Sequence, residues 1–227
     1  MSRRDSHQMN FDLGLAPVYR EEDFLVVPCN SGAFSWLDRW PEWPSCGLII
    51  HGPPGCGKTH LAEIWRKKAG AVMLDGRDLA AADEESDGDS AAIAIEHADA
   101  ANDRVLLRIY NRIADQHKTI LLTAASEPNF WSARLPDLRS RLMALPVARI
   151  AEPDDFLLQA LLVKQFSDRQ LQVEVSVVRY LVERMERSFE MARRLVDELD
   201  LTALRQGRRV TTVLASKALV KLANCGP

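Results

Sequence analysis

The stretch Leu48–Thr59, LIIHGPPGCGKT, determines the fold class of the chain. It opens with an apolar run and continues with Gly52–Thr59, which has the pattern G-x-x-x-x-G-K-T. A segment with Leu61, Ile64 and Trp65 on one helical face follows. A strand, a glycine-rich loop and a helix in this order are the context in which the pattern binds phosphate groups. The sequence therefore predicts a nucleotide-binding P-loop.

Each residue type in this motif suits a nucleoside phosphate. Glycines allow the backbone amides of residues 55–59 to approach the anion at the start of a helix. Lys58 adds a positive charge for the β- and γ-phosphates, and Thr59 offers a hydroxyl to Mg²⁺. The predicted nucleotide-contacting residues of this segment are Gly52, Gly55, Cys56, Gly57, Lys58, Thr59 and His60.

Composition restricts the class of protein. The chain has 227 residues, of which 47% are hydrophobic, and this is enough for a sizeable core. A disordered or fibrous protein is therefore excluded. Lys and Arg number 29 against 32 Asp and Glu, which gives a net charge of -3 and a pI near 6.0. Because DNA-binding proteins gain affinity from positive charge, this balance argues against a free-standing DNA binder.

Cysteine spacing and hydropathy indicate the cellular compartment in which the protein is expected. The four cysteines show neither the spacing of zinc ligands nor that of a disulfide framework. No apolar run approaches the roughly 20 residues that a bilayer-spanning helix needs. The basic start of the chain, Met1–Phe11, is not followed by the hydrophobic segment of a secretion signal. We therefore expect a cytoplasmic protein with no membrane partner. The cysteines are Cys29, Cys46, Cys56 and Cys225.

The order of patterns along the chain predicts an α/β domain followed by helices. Short apolar runs alternate with helical patterns as far as Ile150, as in a parallel sheet that is covered on both faces. After Pro153 the pattern is helical only, and an acidic loop is expected at Asp83–Asp89. We predict a flexible tail at residues 1–16, a nucleotide-binding domain at 17–151 and an all-helical domain at 152–227. The predicted strands are Leu48–His51, Ala71–Leu74, Ala91–Glu96, Thr119–Thr123 and Val147–Ile150, and the predicted later helices are Ser176–Met185, Ser188–Leu204 and one from Thr211 or Thr212 to Leu222.

The end of the third predicted strand bears on catalysis. P-loop proteins that hydrolyse ATP carry two acids at such a position, one for Mg²⁺ and one for the attacking water. Here Glu96 can take the metal role together with Thr59, but the next residue is His97. Because a neutral imidazole orients water less well than a carboxylate, we expect slow hydrolysis by this chain itself.

Four segments in order carry a resemblance to a known family: GPPGCGKTHLA, AIAIEHAD, ILLTAASEPNFW and LPDLRSRL. They resemble the AAA+ module of the bacterial replication initiator DnaA and, more closely, the DnaA-related proteins of the Hda type. The resemblance implies an AAA+ module with a five-stranded parallel sheet and a small helical lid. The segment Asp23–Asn30, DFLVVPCN, is similar to the part of the family that contacts the adenine, and it implies roles for Leu25, Val26 and Asn30.

The resemblance also implies an arginine finger. In the family, the stretch that matches LPDLRSRL supplies a guanidinium to the γ-phosphate on a neighbouring subunit, and Arg141 occupies the matching position. Such a residue accelerates hydrolysis on a partner while its own chain hydrolyses little. We also expect self-association through the same surface, in an oligomer whose form the sequence does not specify.

Two positions depart from the family pattern. The polar sensor after the fourth strand corresponds to Ala125, although Ser126 is next to it. The sensor arginine of the lid corresponds to Glu190, and Arg187 or Arg194 could reach a similar face, of which we favour Arg187. These departures predict that the nucleotide, ADP or ATP, sets the state of the protein rather than serving as fuel.

The N-terminal tail contains a second candidate site, QMNFDL. In an extended peptide, Met9, Phe11 and Leu13 would point to one side, and Gln8 would add hydrogen bonds. The segment resembles the motif with which proteins of the Hda type bind the DNA polymerase sliding clamp. We expect the clamp to be a partner.

Together these features favour a negative regulator of DNA replication initiation that, with the clamp, stimulates ATP hydrolysis by DnaA. The alternatives are a self-hydrolysing P-loop ATPase or small-molecule kinase, and an adaptor that binds DnaA without the clamp. The initiator itself continues into a helix-turn-helix domain. Since the sequence ends after the predicted helices, we expect no direct sequence-specific DNA binding.

Overall fold

The computed structural model describes residues 24–81, 90–206 and 209–224. The predicted clamp-binding residues Gln8, Met9, Phe11 and Leu13 and the predicted acidic loop Asp83–Asp89 lie outside these ranges.

Five parallel strands form one sheet, with the spatial order β2-β3-β4-β1-β5. The P-loop strand β1 lies between β4 and β5, and its five residues are all buried. The α/β class and the five-stranded parallel sheet are therefore confirmed. The strands are β1 (Gly47–His51), β2 (Val72–Asp75), β3 (Ala92–Glu96), β4 (Thr119–Ala124) and β5 (Val147–Arg149).

Helices cover both faces of this sheet, as the uniformly apolar strands require. Alternate residues of β1 enter different cores: Leu48 and Ile50 pack with Trp65, whereas Ile49 packs with Ile109 on the opposite face. The α-helices of this part are α1 (Ser31–Asp38), α2 (Lys58–Ala69), α3 (Asp103–Asp115) and α4 (Pro136–Met143). Among the residues that the structure describes, 3₁₀ turns lie at Gly76–Ala81, Ala98–Ala100 and Pro128–Phe130.

The C-terminal helices pack around a separate apolar core that includes Leu158, Val178 and Leu195. Asp154 caps the first of them, because its Oδ1 accepts a hydrogen bond of 2.7 Å from the amide of Leu157. No described helix is both long and apolar enough to cross a membrane. The helices are α5 (Asp155–Asp168), α6 (Val175–Val182), α7 (Phe189–Gln206) and α8 (Thr212–Asn224).

The predicted helix Ser176–Met185 extends three residues beyond the observed end of α6 at Val182. The chain leaves the helix there and reaches Ser188, whose hydroxyl accepts a hydrogen bond of 3.0 Å from the amide of Met191 and caps α7. Similarly, the predicted strand Ala71–Leu74 differs by one residue at each end from the observed β2, Val72–Asp75.

Candidate nucleotide-binding site

The P-loop connects β1 to α2 with a backbone that glycine allows. Gly57 precedes α2 with φ of 95°, in the left-handed region that a side chain disfavours. A Cβ atom at this position would also lie only 3.0 Å from the ring of Phe24. Phe24 packs edge-on against His60, with ring centroids 5.2 Å apart. The segment before α1 therefore closes over the start of the P-loop helix.

The C-terminal helices α5–α8, here called the lid, contact the P-loop at Gly55. This residue has φ of 75°, and a Cβ atom on it would lie 3.2 Å from Cβ of Phe189 and 3.3 Å from the amide nitrogen of Glu190. The first turn of α7 thus packs directly on the glycine-rich loop. Glu190, which the resemblance predicts at the position of the sensor arginine, is part of this contact.

Lys58 and Cys56 lie within the loop itself. The ammonium of Lys58 donates hydrogen bonds of 2.8 Å and 2.9 Å to the carbonyl oxygens of Gly52 and Pro53. Cys56 is buried, with 4% of its surface exposed, and its sulfur lies 3.8 Å from the lysine nitrogen. Burial raises the pKa of the Cys56 thiol, although the nearby lysine opposes the shift. The cysteine therefore packs as a neutral thiol.

Thr59 and Glu96 meet although they are far apart in sequence. The hydroxyl of Thr59, in the first turn of α2, donates a hydrogen bond of 2.5 Å to Oε1 of Glu96 at the end of β3. A hydroxyl and a carboxylate are the hard oxygen ligands that suit Mg²⁺. The two predicted metal ligands are thus adjacent, and their donor set fits this ion.

The position that follows Glu96 has unusual geometry. His97 has φ of 50°, and its Nδ1 lies 3.3 Å from Oδ1 of Asp75 at the end of the neighbouring strand. Arg77 binds the same carboxylate and holds the pKa of Asp75 far below its usual range. Sequence reasoning missed Asp75. Its position in the sequence could have revealed it, because parallel strands end at one edge of the sheet and Asp75 pairs in register with Glu96.

The segment predicted to contact adenine is held by one amide side chain. Asn30 is 5% exposed; its Oδ1 accepts a hydrogen bond of 2.8 Å from the amide of Val27, and its Nδ2 donates one of 2.9 Å to the carbonyl of Leu25. Leu25 and Val26 are 48% and 43% exposed. Asn30 therefore orders the backbone of this segment, while Leu25 and Val26 present apolar surface.

The region of the polar sensor is organised by its backbone. The amide of Ala125 donates a hydrogen bond of 2.9 Å to Oδ2 of Asp99, and the carbonyl of Ser126 accepts one of 2.8 Å from the indole of Trp131. Asp99 follows the third strand by three residues, so this contact ties together the ends of β3 and β4.

Two arginines of the lid, Arg187 and Arg193, bind acidic side chains. Nε and Nη2 of Arg187 lie 2.7 Å and 3.0 Å from the two carboxylate oxygens of Asp155, and both side chains are exposed. This pair lowers the pKa of Asp155. Arg193 binds Glu190 in the same two-pronged way. A role for Arg187 at the nucleotide requires that the guanidinium leave Asp155.

Arg141 lies in the last turn of α4 and is exposed. Its guanidinium carbon stands 5.6 Å from the centroid of the Tyr110 ring on α3. Arg139, two residues earlier on the same helix, is exposed as well. The contact between Arg141 and Tyr110 was not predictable from spacing, because the two residues belong to different helices.

Comparison with known proteins finds a family match for the lid and a fold match for most of the chain. Residues 155–219 match the family model described as Hda, lid domain. The fold matches domain III of the replication initiation protein DnaA from Thermotoga maritima, with a TM-score of 0.76, 20% identity and coverage of 91% of this chain and 98% of that one.

Other solved structures share the fold with lower TM-scores. The AMPPCP-bound DnaA from Aquifex aeolicus has a TM-score of 0.69 at 18% identity, with coverage of 84% of this chain and 68% of that one. The RuvB Holliday junction branch migration motor from Thermotoga maritima has a TM-score of 0.60 at 21% identity, with coverage of 78% and 61%. Curated protein sequences gave no match. Residues 155–219 therefore match the Hda lid family, and the chain as a whole has the fold of DnaA domain III.

Proposed function

We propose that this DnaA-related replication regulator binds an adenine nucleotide and, together with the sliding clamp, stimulates ATP hydrolysis by DnaA through Arg141. The observation that carries the proposal is the exposed guanidinium of Arg141 at the end of α4, in a chain whose lid matches the Hda lid family. A guanidinium supplied to a neighbour's γ-phosphate stabilises the charge that develops during transfer. DnaA is then the substrate of the regulator, and the product is its ADP form.

The chain's own nucleotide has a supporting role in this proposal. The P-loop amides and Lys58 would bind the phosphates, Leu25 and Val26 would flank the adenine, and Thr59 and Glu96 would hold Mg²⁺. Bound there, Mg²⁺ would neutralise charge on the β- and γ-phosphate oxygens. Lys58 would exchange the carbonyl oxygens of Gly52 and Pro53 for phosphate oxygens.

Slow hydrolysis of this nucleotide follows from the residue after Glu96. His97 stands where the water-orienting acid of hydrolysing relatives is expected, and its imidazole faces the carboxylate of Asp75. No second acid directly follows Glu96, so we expect the bound nucleotide, ADP or ATP, to persist without turnover. A stable nucleotide at the P-loop would hold α7 of the lid against Gly55 and so keep the surface that meets DnaA in one conformation.

The clamp would deliver the regulator to replicating DNA. We propose that the tail residues Gln8, Met9, Phe11 and Leu13 occupy the clamp's peptide groove as an extended strand. Self-association through the finger surface would compete with DnaA, because both would use Arg141.

The decisive experiment measures ATP hydrolysis by DnaA, with clamp loaded on DNA. Arginine fingers contribute about 10³- to 10⁵-fold to catalysis, so Arg141→Ala should reduce hydrolysis to the unstimulated rate. Arg139→Ala is the matched control on the same helix and should stimulate as the wild type does. Normal stimulation by Arg141→Ala would disprove the finger role.

Clamp binding is tested separately by surface plasmon resonance. The full chain should bind immobilised clamp, whereas the double variant Gln8→Ala, Leu13→Ala should not, with thermal unfolding unchanged. If both bind equally, the tail is not the clamp site. If neither binds while Arg141-dependent stimulation persists, the regulator acts on DnaA without the clamp, and this part of the proposal fails.

A further inference from the structure

In the described part of the chain, the guanidinium of Arg141 lies over the ring of Tyr110. The ring of Tyr110 belongs to the core between α3 and the sheet, and 7% of the residue is exposed. Its phenol oxygen accepts a hydrogen bond of 3.5 Å from the thiol of Cys46, which precedes β1. The ring is therefore fixed on one side by the core and on the other presents a face to the guanidinium, 5.6 Å from the ring centroid.

The charge environment of this contact is distinctive. Within residues 24–81, 90–206 and 209–224, Arg141 has no carboxylate at ion-pair distance. Burial and the Cys46 contact raise the pKa of Tyr110 to about 12, so the phenol stays neutral at physiological pH. By contrast, Arg187 and Arg193 each bind an acid. Arg141 is thus held by a neutral ring.

Such an arrangement suits a guanidinium that must act on another molecule. A carboxylate partner would neutralise the positive charge and compete with the incoming phosphate. A ring face attracts the cation and restricts its position, but an exposed cation–π contact is weaker than a two-pronged bond to a phosphate. The guanidinium can therefore move from the ring to the phosphate without losing much binding free energy.

We propose that Tyr110 is a positioning residue for the arginine finger, whose ring orients Arg141 for the γ-phosphate of the neighbouring subunit. This inference rests on the proposed function of Arg141. The hydroxyl of Tyr110 serves only to fix the ring through Cys46, so the aromatic face carries the role.

The test compares Tyr110→Leu, which keeps apolar volume but removes the ring, with Tyr110→Phe, which keeps the ring. The readout is clamp-dependent ATP hydrolysis by DnaA at increasing regulator concentration. Tyr110→Leu should lower maximal stimulation about two- to fivefold, the range that corresponds to an exposed cation–π contact, without a change in half-saturating concentration. Tyr110→Phe should reach the maximal stimulation of the wild type.

A merely structural role predicts a different result. In that case Tyr110→Leu would lower nucleotide affinity as well, and its effect would persist in the Arg141→Ala background. The positioning role predicts wild-type nucleotide affinity and no further loss in the double variant. If Arg141→Ala abolishes stimulation while Tyr110→Leu stimulates normally, the inference fails and the proposed function stands. If Arg141→Ala itself stimulates normally, the proposed function fails.

A spectroscopic measurement tests the geometry without DnaA. The Nε–H proton of Arg141 should show a ring-current shift in the NMR spectrum of the wild type and of Tyr110→Phe, and assignment follows from its loss in Arg141→Lys. Absence of the shift in the wild type would overturn the inference, whether or not Tyr110→Leu folds.

Discussion

Thr59 donates a hydrogen bond of 2.5 Å to Glu96 and so joins the first turn of the P-loop helix to the end of β3. The two side chains lie in separate elements, but both elements begin or end at the same edge of the sheet. An oxygen pair at this edge and the amides of the P-loop form one polar site, and this arrangement supports the proposal that a nucleotide and its metal bind there together.

Replacing Glu96 by Gln should weaken nucleotide binding in a magnesium-dependent way. The change preserves shape but removes the negative charge, and we expect about a tenfold loss of ADP affinity with Mg²⁺ present. Calorimetric titration with Mg²⁺ and with EDTA measures the difference. Glu63→Gln, which lies on α2 and pairs with Arg66, is the control. An equal loss in EDTA would show that Glu96 acts without the metal.

Gly57→Ala should abolish nucleotide binding, whereas Gly70→Ala should not. Both glycines have positive φ, 95° and 62°, so each substitution should destabilise the fold by about 1–2 kcal/mol. Only at Gly57 would the new methyl group meet Phe24. Urea denaturation and fluorescence titration with ADP separate the two effects. Retained ADP binding by Gly57→Ala would argue against the closure of Phe24 over the loop.

Asn30→Ala should destabilise the segment before α1 and reduce affinity for the nucleotide. The substitution leaves the amide of Val27 and the carbonyl of Leu25 without their partner, at a cost of about 1–3 kcal/mol. Chemical denaturation gives the free energy of unfolding, and calorimetry gives ADP affinity. Asn129→Ala changes an exposed asparagine and should affect neither. Wild-type values for Asn30→Ala would refute the ordering role.

Arg187→Ala should lower the stability of the lid more near neutral pH than in acid. Arg187 lowers the pKa of Asp155 in the folded state, so this pair stabilises the fold above the ordinary aspartate pKa of about 4. The stabilisation disappears as the pH falls through the lowered pKa. Unfolding of wild type and variant at pH 7 and pH 3 tests this. A difference that is the same at both pH values would mean that packing, not charge, explains the effect.

Much of the fold was predictable because periodicity and caps are local properties of the sequence. The apolar runs predict five strands, and the structure has five strands in the described part of the chain. Asp154 and Thr211 are predictable caps, because a side-chain oxygen needs only the next turn as its partner. The end of α6 is less predictable, since the chain leaves that helix for a cap at Ser188.

The sequence by itself determined the P-loop, because the groups proposed to bind phosphate are consecutive backbone amides and adjacent side chains within one motif. Tertiary structure alone decided which distant residues meet: Gly55 with the first turn of α7, His97 with Asp75, and Arg141 with Tyr110. Each of these contacts joins two elements that are separated along the chain. Their meeting depends on how the strands and helices pack, which no local pattern encodes.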